Sequence, residues 1–132
     1  MPIMTPDLIC LLILALWSIP LNHAPALGRI QAGGVEWGLG NRETTPSVPP
    51  WVGRADRAKQ NHHDNLAAIA IVILIAQVTG QTDGITAIAS VAIVVLRILH
   101  SLSYIFGITV IRTLAYAGSL LALGIIVLRL FI

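Results

Sequence analysis

Eight polar side chains between residues 57 and 116 fall into three sets with helical spacing. Arg57, Asn61 and Asp64 stand at i, i+4 and i+7; Arg97, His100 and Tyr104 at i, i+3 and i+7; Arg112 and Tyr116 at i and i+4. That spacing puts each set on one face of its own helix. A guanidinium stays charged and presents a planar fork of donors that matches an oxyanion. Three of them against the one carboxylate of Asp64 leave positive charge over, so the chemistry on offer is recognition of an anion.

The elements that must position these groups are membrane helices. The 132 residues are 56% hydrophobic and only 11% charged. Mean hydropathy is +0.85. A soluble domain carries about 25% charged residues, so the chain belongs to the membrane class and is one domain by length. A net charge of +2 is too small to argue for a nucleic-acid partner. The single cysteine, Cys10, excludes an intramolecular disulfide, and it lies in an apolar run where it reads as a small hydrophobe.

The apolar runs predict four spanning helices over residues 7–27, 54–79, 84–106 and 109–131, with a Gly- and Pro-rich loop at 28–53. Asp7 stands before the first run where a signal peptide would carry Lys or Arg, so that run is expected to remain as a span. Trp37 and Trp51 read either as interfacial anchors or as incidental loop aromatics. Short turns between the last three helices imply an up-down bundle. Arg29, Arg42 and Arg54 fall in or next to the first loop and no cation falls in the second. By the positive-inside rule the first loop is then cytoplasmic and both termini lie outside.

This topology gathers the three stripes. Residues 66–78 give the second helix an apolar stretch of roughly 20 Å, shorter than a hydrocarbon core of about 30 Å. The third helix turns polar at its end and the fourth at its start, both on the same side. All eight groups therefore meet at one depth, near the cytoplasmic face. Charged groups at such a depth face a bundle interior or an aqueous cavity. Plainer uses of the same residues are an Arg97–Asp64 ion pair, Arg112 reaching lipid phosphate, and tyrosines of an interfacial belt. Adjacent His62 and His63 point apart on a helix, and no metal site is expected.

In order, spacing and helix assignment the stripes resemble those of the membrane-associated proteins in eicosanoid and glutathione metabolism (MAPEG), over roughly residue 51 to the C-terminus; the first helix and loop are similar to short bacterial members. The resemblance implies a four-helix subunit, a homotrimer and a glutathione site between subunits, in the inner membrane for a bacterial member. It implies that Arg57 and Asn61 hold the tripeptide and that Asp64 receives its α-amine, where characterised members carry the longer Glu. Arg97, His100 and Tyr104 match walls of the same cleft, and Arg112 matches the arginine that holds the thiol as thiolate. Gln60 stands where one branch of the family has a further arginine. Tyr104 or Tyr116 would donate a hydrogen bond to sulfur or to a leaving oxyanion.

The expected fold is thus an all-α, four-transmembrane-helix integral membrane protein. The expected function is a glutathione-dependent transferase or peroxidase acting on a hydrophobic, lipid-like electrophile. The alternative, from a different class, is a non-catalytic membrane protein that binds an anionic lipid.

Overall fold

The structure is a computed structural model, and it describes residues 4–132. Among the described residues every regular element is a helix: α1 (Pro6–Gly33), α2 (Val35–Leu39), α3 (Pro50–Val78), α4 (Gly84–Phe106) and α5 (Thr109–Arg129). α1, α4 and α5 are long and apolar enough to cross a membrane. α3 is as long, at 29 residues, but Arg54, Asp56, Arg57, Lys59 and Asp64 make its first half too polar to qualify beside them. The structure thus supports three spans and a further long helix where the sequence predicts four spans.

Local chemistry accounts for the helix ends. Thr5 caps α1 by accepting from the Leu8 amide at 3.4 Å, with Pro6 in the first helical turn. Pro50 opens α3 in the same way. α4 begins with a capping box: Asp83 accepts from the amides of Ile85 and Thr86 at 2.8 and 2.9 Å, and Thr86 Oγ1 accepts from the Asp83 amide. It ends at Gly107, in the left-handed region at φ +78°, with the Ile108 amide bonded back to Ser103 O at 2.8 Å.

The predicted loop at 28–53 is largely structured. α1 runs six residues past its predicted end, through Gly28, because that glycine is a close-packing site rather than a breaker. A Cβ there would lie 2.6 Å from Val52 Cγ2 and 2.9 Å from the Trp51 ring. The chain after Gly34 folds on Trp37, whose indole donates to Thr44 O at 2.6 Å and carries the Arg42 guanidinium 5.6 Å above it. Both tryptophans therefore pack within the chain.

α1 lies on α3 and α4, and α4 lies most extensively on α5. One half of the bundle is closed by a continuous apolar core: Cys10 and Leu14 from α1, Ile69, Ile73 and Ala76 from α3, Ala89, Ile93 and Val94 from α4, Ala122 and Ile126 from α5. Ala115, Ser119 and Ala122 are buried, and Gly118 admits the Leu96 side chain to 2.9 Å of where its Cβ would stand. The small residues of α5 thus serve close packing on α4 within the chain. The other half of the bundle is polar, and the stripes lie there.

Candidate functional site

The polar half is built from helix ends held in register by side-chain bonds. Arg29 near the end of α1 pairs with Asp56 of α3, which Lys59 also approaches at 3.4 Å. His62 is buried against α1, with Nε2 3.1 Å from both Leu14 O and Ser18 Oγ. The Trp17 indole donates to Ser101 Oγ of α4 at 3.4 Å. These contacts fix the level at which α1, α3 and α4 stand beside one another.

A cleft of about 210 Å³ opens between α3, α4 and α5, lined by Asn61, His100, Tyr104, Arg112, Thr113 and Tyr116. The His100 ring lies 5.7 Å from that of Tyr104, edge-on, and 5.9 Å from that of Tyr116. The Arg112 guanidinium carbon stands 4.5 Å from the Tyr104 ring centroid, and that of Arg57 stands 5.9 Å from it. One aromatic ring thus holds two cations from different helices, an arrangement that the ring quadrupole favours and that mutual repulsion opposes. An anion in the cleft relieves that repulsion.

Arg97 is placed differently. It is 1% exposed and lies behind the cleft, where Nη2 donates to Asn61 O at 3.1 Å and to Asn61 Oδ1 at 2.9 Å. With its oxygen engaged, the Asn61 side chain keeps its NH₂ donors for other partners. Asp64 makes no ion pair with Arg97; it is exposed on α3 and accepts from Gln60 Nε2 at 2.7 Å. Among the described residues the ion pairs are Arg29–Asp56, Lys59–Asp56 and Arg129–Asp83. None involves Arg57, Arg97 or Arg112, so the positive surplus read from the sequence persists in three dimensions.

The structure therefore brings Asn61, His100, Tyr104, Arg112 and Tyr116 around one cleft, with Arg57 at its edge. It sets Arg97 behind the wall and leaves Asp64 outside the lining. Sequence reasoning missed Thr113, which lines the cleft next to Arg112 and donates to Thr109 O at 3.0 Å. It also missed the bonding of His62 to α1, for which the only signal was a histidine off the charged stripe.

A search of curated proteins and a search of solved structures each returned no match. A family model does match, over residues 8–132, nearly the whole chain. Together with three helices able to cross a membrane, the match describes an integral membrane protein of a glutathione-associated group. The chain belongs to the MAPEG family.

Proposed function

We propose that this protein is a membrane-bound, glutathione-dependent transferase or peroxidase that activates the glutathione thiol as thiolate for attack on a hydrophobic electrophile. The observation that carries the reading is the Arg112 guanidinium 4.5 Å above Tyr104, inside a cleft where, among the described residues, neither Arg112 nor Arg57 at the edge has a carboxylate partner. A free thiol of pKa about 8.5 is only a few per cent ionised at pH 7. A fixed cation favours the thiolate, and it does so more strongly where protein replaces water.

Arg112 stabilises the thiolate, and Tyr104 donates a hydrogen bond to the sulfur or to a departing oxyanion. Arg57 and the free amide of Asn61 receive the peptide's carboxylates and carbonyls, and His100 and Tyr116 close the wall. Arg97 acts through Asn61, whose oxygens it holds. Asp64 receives the α-amine from its exposed position on α3. In transfer, the sulfur lone pair forms a bond to an electrophilic carbon, whose leaving group departs with its electron pair.

In this reading α3 is the fourth span, and the chain assembles as a homotrimer. Arg57, Gln60 and Asp64 are exposed on α3, above the exposed small residues Ala67 and Ala68. Polar groups at that depth call for a protein or aqueous neighbour rather than lipid, and small residues permit close helix approach. The cleft then lies near the cytoplasmic face, with both termini outside. The electrophile enters from the bilayer.

The test is a glutathione titration of the detergent-solubilised oligomer, following ultraviolet thiolate absorbance at neutral pH and turnover with a generic electrophile. A saturable thiolate signal with turnover supports the reading. A stable oligomer that gives neither, yet binds vesicles or micelles containing an anionic lipid saturably, establishes the alternative, a non-catalytic lipid-binding protein.

A further inference from the structure

We infer that Arg54, which belongs to none of the three stripes, is the positioning residue that sets how far Arg112 stands from the reacting sulfur. The inference rests on the glutathione reading above. Arg54 lies on α3 one turn before Arg57, and its Nε donates to Ile105 O at 2.8 Å, joining residues 51 apart in sequence. Ile105 O is among the last four carbonyls of α4, which have no donor within their own helix. Its neighbours are met locally: Ser103 O accepts from the Ile108 amide at 2.8 Å and Tyr104 O from the Gly107 amide at 3.2 Å. The bond from Arg54 is what ties this turn to α3, and a cation at a helix C-terminus also meets the negative end of the helix dipole.

The turn it holds connects the two halves of the cleft. Only Gly107 and Ile108 separate α4 from α5, so the direction of the last α4 turn fixes where α5 starts. Tyr104 lies three residues before Gly107, and Arg112 lies in the first turn of α5, its amide bonded to Ile108 O at 3.2 Å. Arg54 also packs on Gly107: a Cβ there would meet its guanidinium at 3.6 to 3.7 Å. Since Arg57 follows on the same helix and stands over the Tyr104 ring, one hydrogen bond locks α3, α4 and α5 together around the place the sulfur would occupy. Among the described residues Arg54 has no carboxylate partner, so ion pairing does not account for it.

The consequence is electrostatic. At the effective dielectric of about 40 that suits an open cleft with a half-buried cation, moving that cation from about 4 to about 6 Å from a thiolate raises the thiol by about half a pKa unit, a roughly threefold loss of thiolate near neutral pH. The test compares the wild-type protein with Arg54→Lys, Arg54→Met and Arg54→Ala, each purified as the intact oligomer. It measures glutathione affinity and the pKa of the bound thiol from ultraviolet absorbance against pH.

Loss of a donor to Ile105 O is expected to raise the bound-thiol pKa by about half a unit in Met and Ala, with affinity changed less than about threefold. Lys, which keeps a donor, is expected to stay near wild type. A merely structural role would lower oligomer yield without moving the pKa of the glutathione that does bind. Should Met and Ala fail to fold, Gly107→Ala strains the same turn while leaving Arg54 in place, and it is expected to raise the pKa likewise. Unchanged pKa in these variants, or Lys as defective as Met, overturns the role of Arg54. Absence of any thiolate signal in the wild type overturns the glutathione reading itself, and this inference with it.

Discussion

Arg112→Gln removes the cleft's charge nearest Tyr104 while keeping a shorter polar side chain with two N–H donors, so on the proposed function its effect on bound glutathione can be worked from geometry. The Arg112 guanidinium carbon stands 4.5 Å from the Tyr104 ring centroid. A sulfur at a similar separation from that cation, about 4 to 5 Å, gains roughly 1 kcal/mol in a water-like medium and roughly 4 kcal/mol at an effective dielectric of 20. Arg112 is half-buried and the cleft is open, so the lower part of that range applies. About 1.4 to 2 kcal/mol corresponds to about 1 to 1.5 pKa units. A thiol of about 8.5 then falls to about 7 to 7.5, and its ionised fraction at pH 7 rises from about 3% to between about a quarter and a half. Arg112→Gln is expected to return the bound thiol to about 8.5 and to cut thiolate absorbance per bound glutathione about tenfold at pH 7. The acid limb of the kcat profile, which reports groups in the enzyme–substrate complex, should move to higher pH by the same amount. Affinity for the uncharged-thiol form should change little, because in the proposed function the peptide carboxylates fall to Arg57 and Asn61 instead. If Arg112→Gln leaves the pKa of the bound thiol where it was, the electrostatic role assigned to Arg112 is refuted. If affinity collapses in step with turnover, Arg112 holds the peptide instead.

Three further expectations concern the scaffold. Ile73 is fully buried in the apolar core, so Ile73→Ala should cost about 2 to 5 kcal/mol of unfolding free energy in detergent; wild-type stability would contradict that packing. Glycine to alanine inside a helix ordinarily stabilises by up to about 1 kcal/mol, but Gly28→Ala should reverse that sign, because its Cβ would stand 2.6 Å from Val52 Cγ2. An unfolding midpoint above wild type would show that α1 and α3 are not this close. The Thr86 amide, then Arg129, hold the Asp83 carboxyl below its ordinary value. A depressed acid contributes stability above its unfolded pKa of about 4 and loses it as pH falls through the lower folded value. Asp83→Asn should therefore be less stable than wild type at neutral pH, with the gap closing below about pH 4; a gap independent of pH would refute the assignment.

The stripes were legible because helical spacing and apolar context are both written in the sequence. A charge every third or fourth residue in a run of Leu, Ile and Val has few explanations, and five of the eight groups read in this way do line one cleft. Depth behind the wall was not legible. Arg97 and His100 share a face, yet Arg97 points behind the cleft to Asn61 while His100 lines it; periodicity gives a direction and says nothing of what a long side chain reaches. The loop was misjudged for a related reason. Glycine lowers helix propensity by about 1 kcal/mol, but at Gly28 the missing side chain admits Trp51 and Val52, and tertiary packing decides the matter. Arg54 carried no pattern, because its partner is a backbone carbonyl far along the chain.

The distribution of unfavourable burial bears on where function resides. Among the described residues the buried side-chain polar atoms without a partner are His62 Nδ1, Arg97 Nε, Arg97 Nη1 and His100 Nδ1. Each such atom costs about 1 to 3 kcal/mol, and more when charged. A buried guanidinium without a counter-ion is the most costly case, and an apolar residue of similar size would often leave the fold equally or more stable. All four atoms lie in the polar half of the bundle, on α3 and α4 beside the cleft, whereas the opposite half is closed by Ile69, Ile73, Ile93 and Ile126. The helices thus divide their tasks along their length. One half is closed by apolar packing and a buried Asp7 carboxylate that accepts from Ser90 Oγ at 2.8 Å, and the other retains charge without such partners. Departures of this kind concentrate where a fold does chemistry, and their clustering around Asn61 and His100 points to the same cleft as the geometry of Arg57, Tyr104 and Arg112, by a separate physical route.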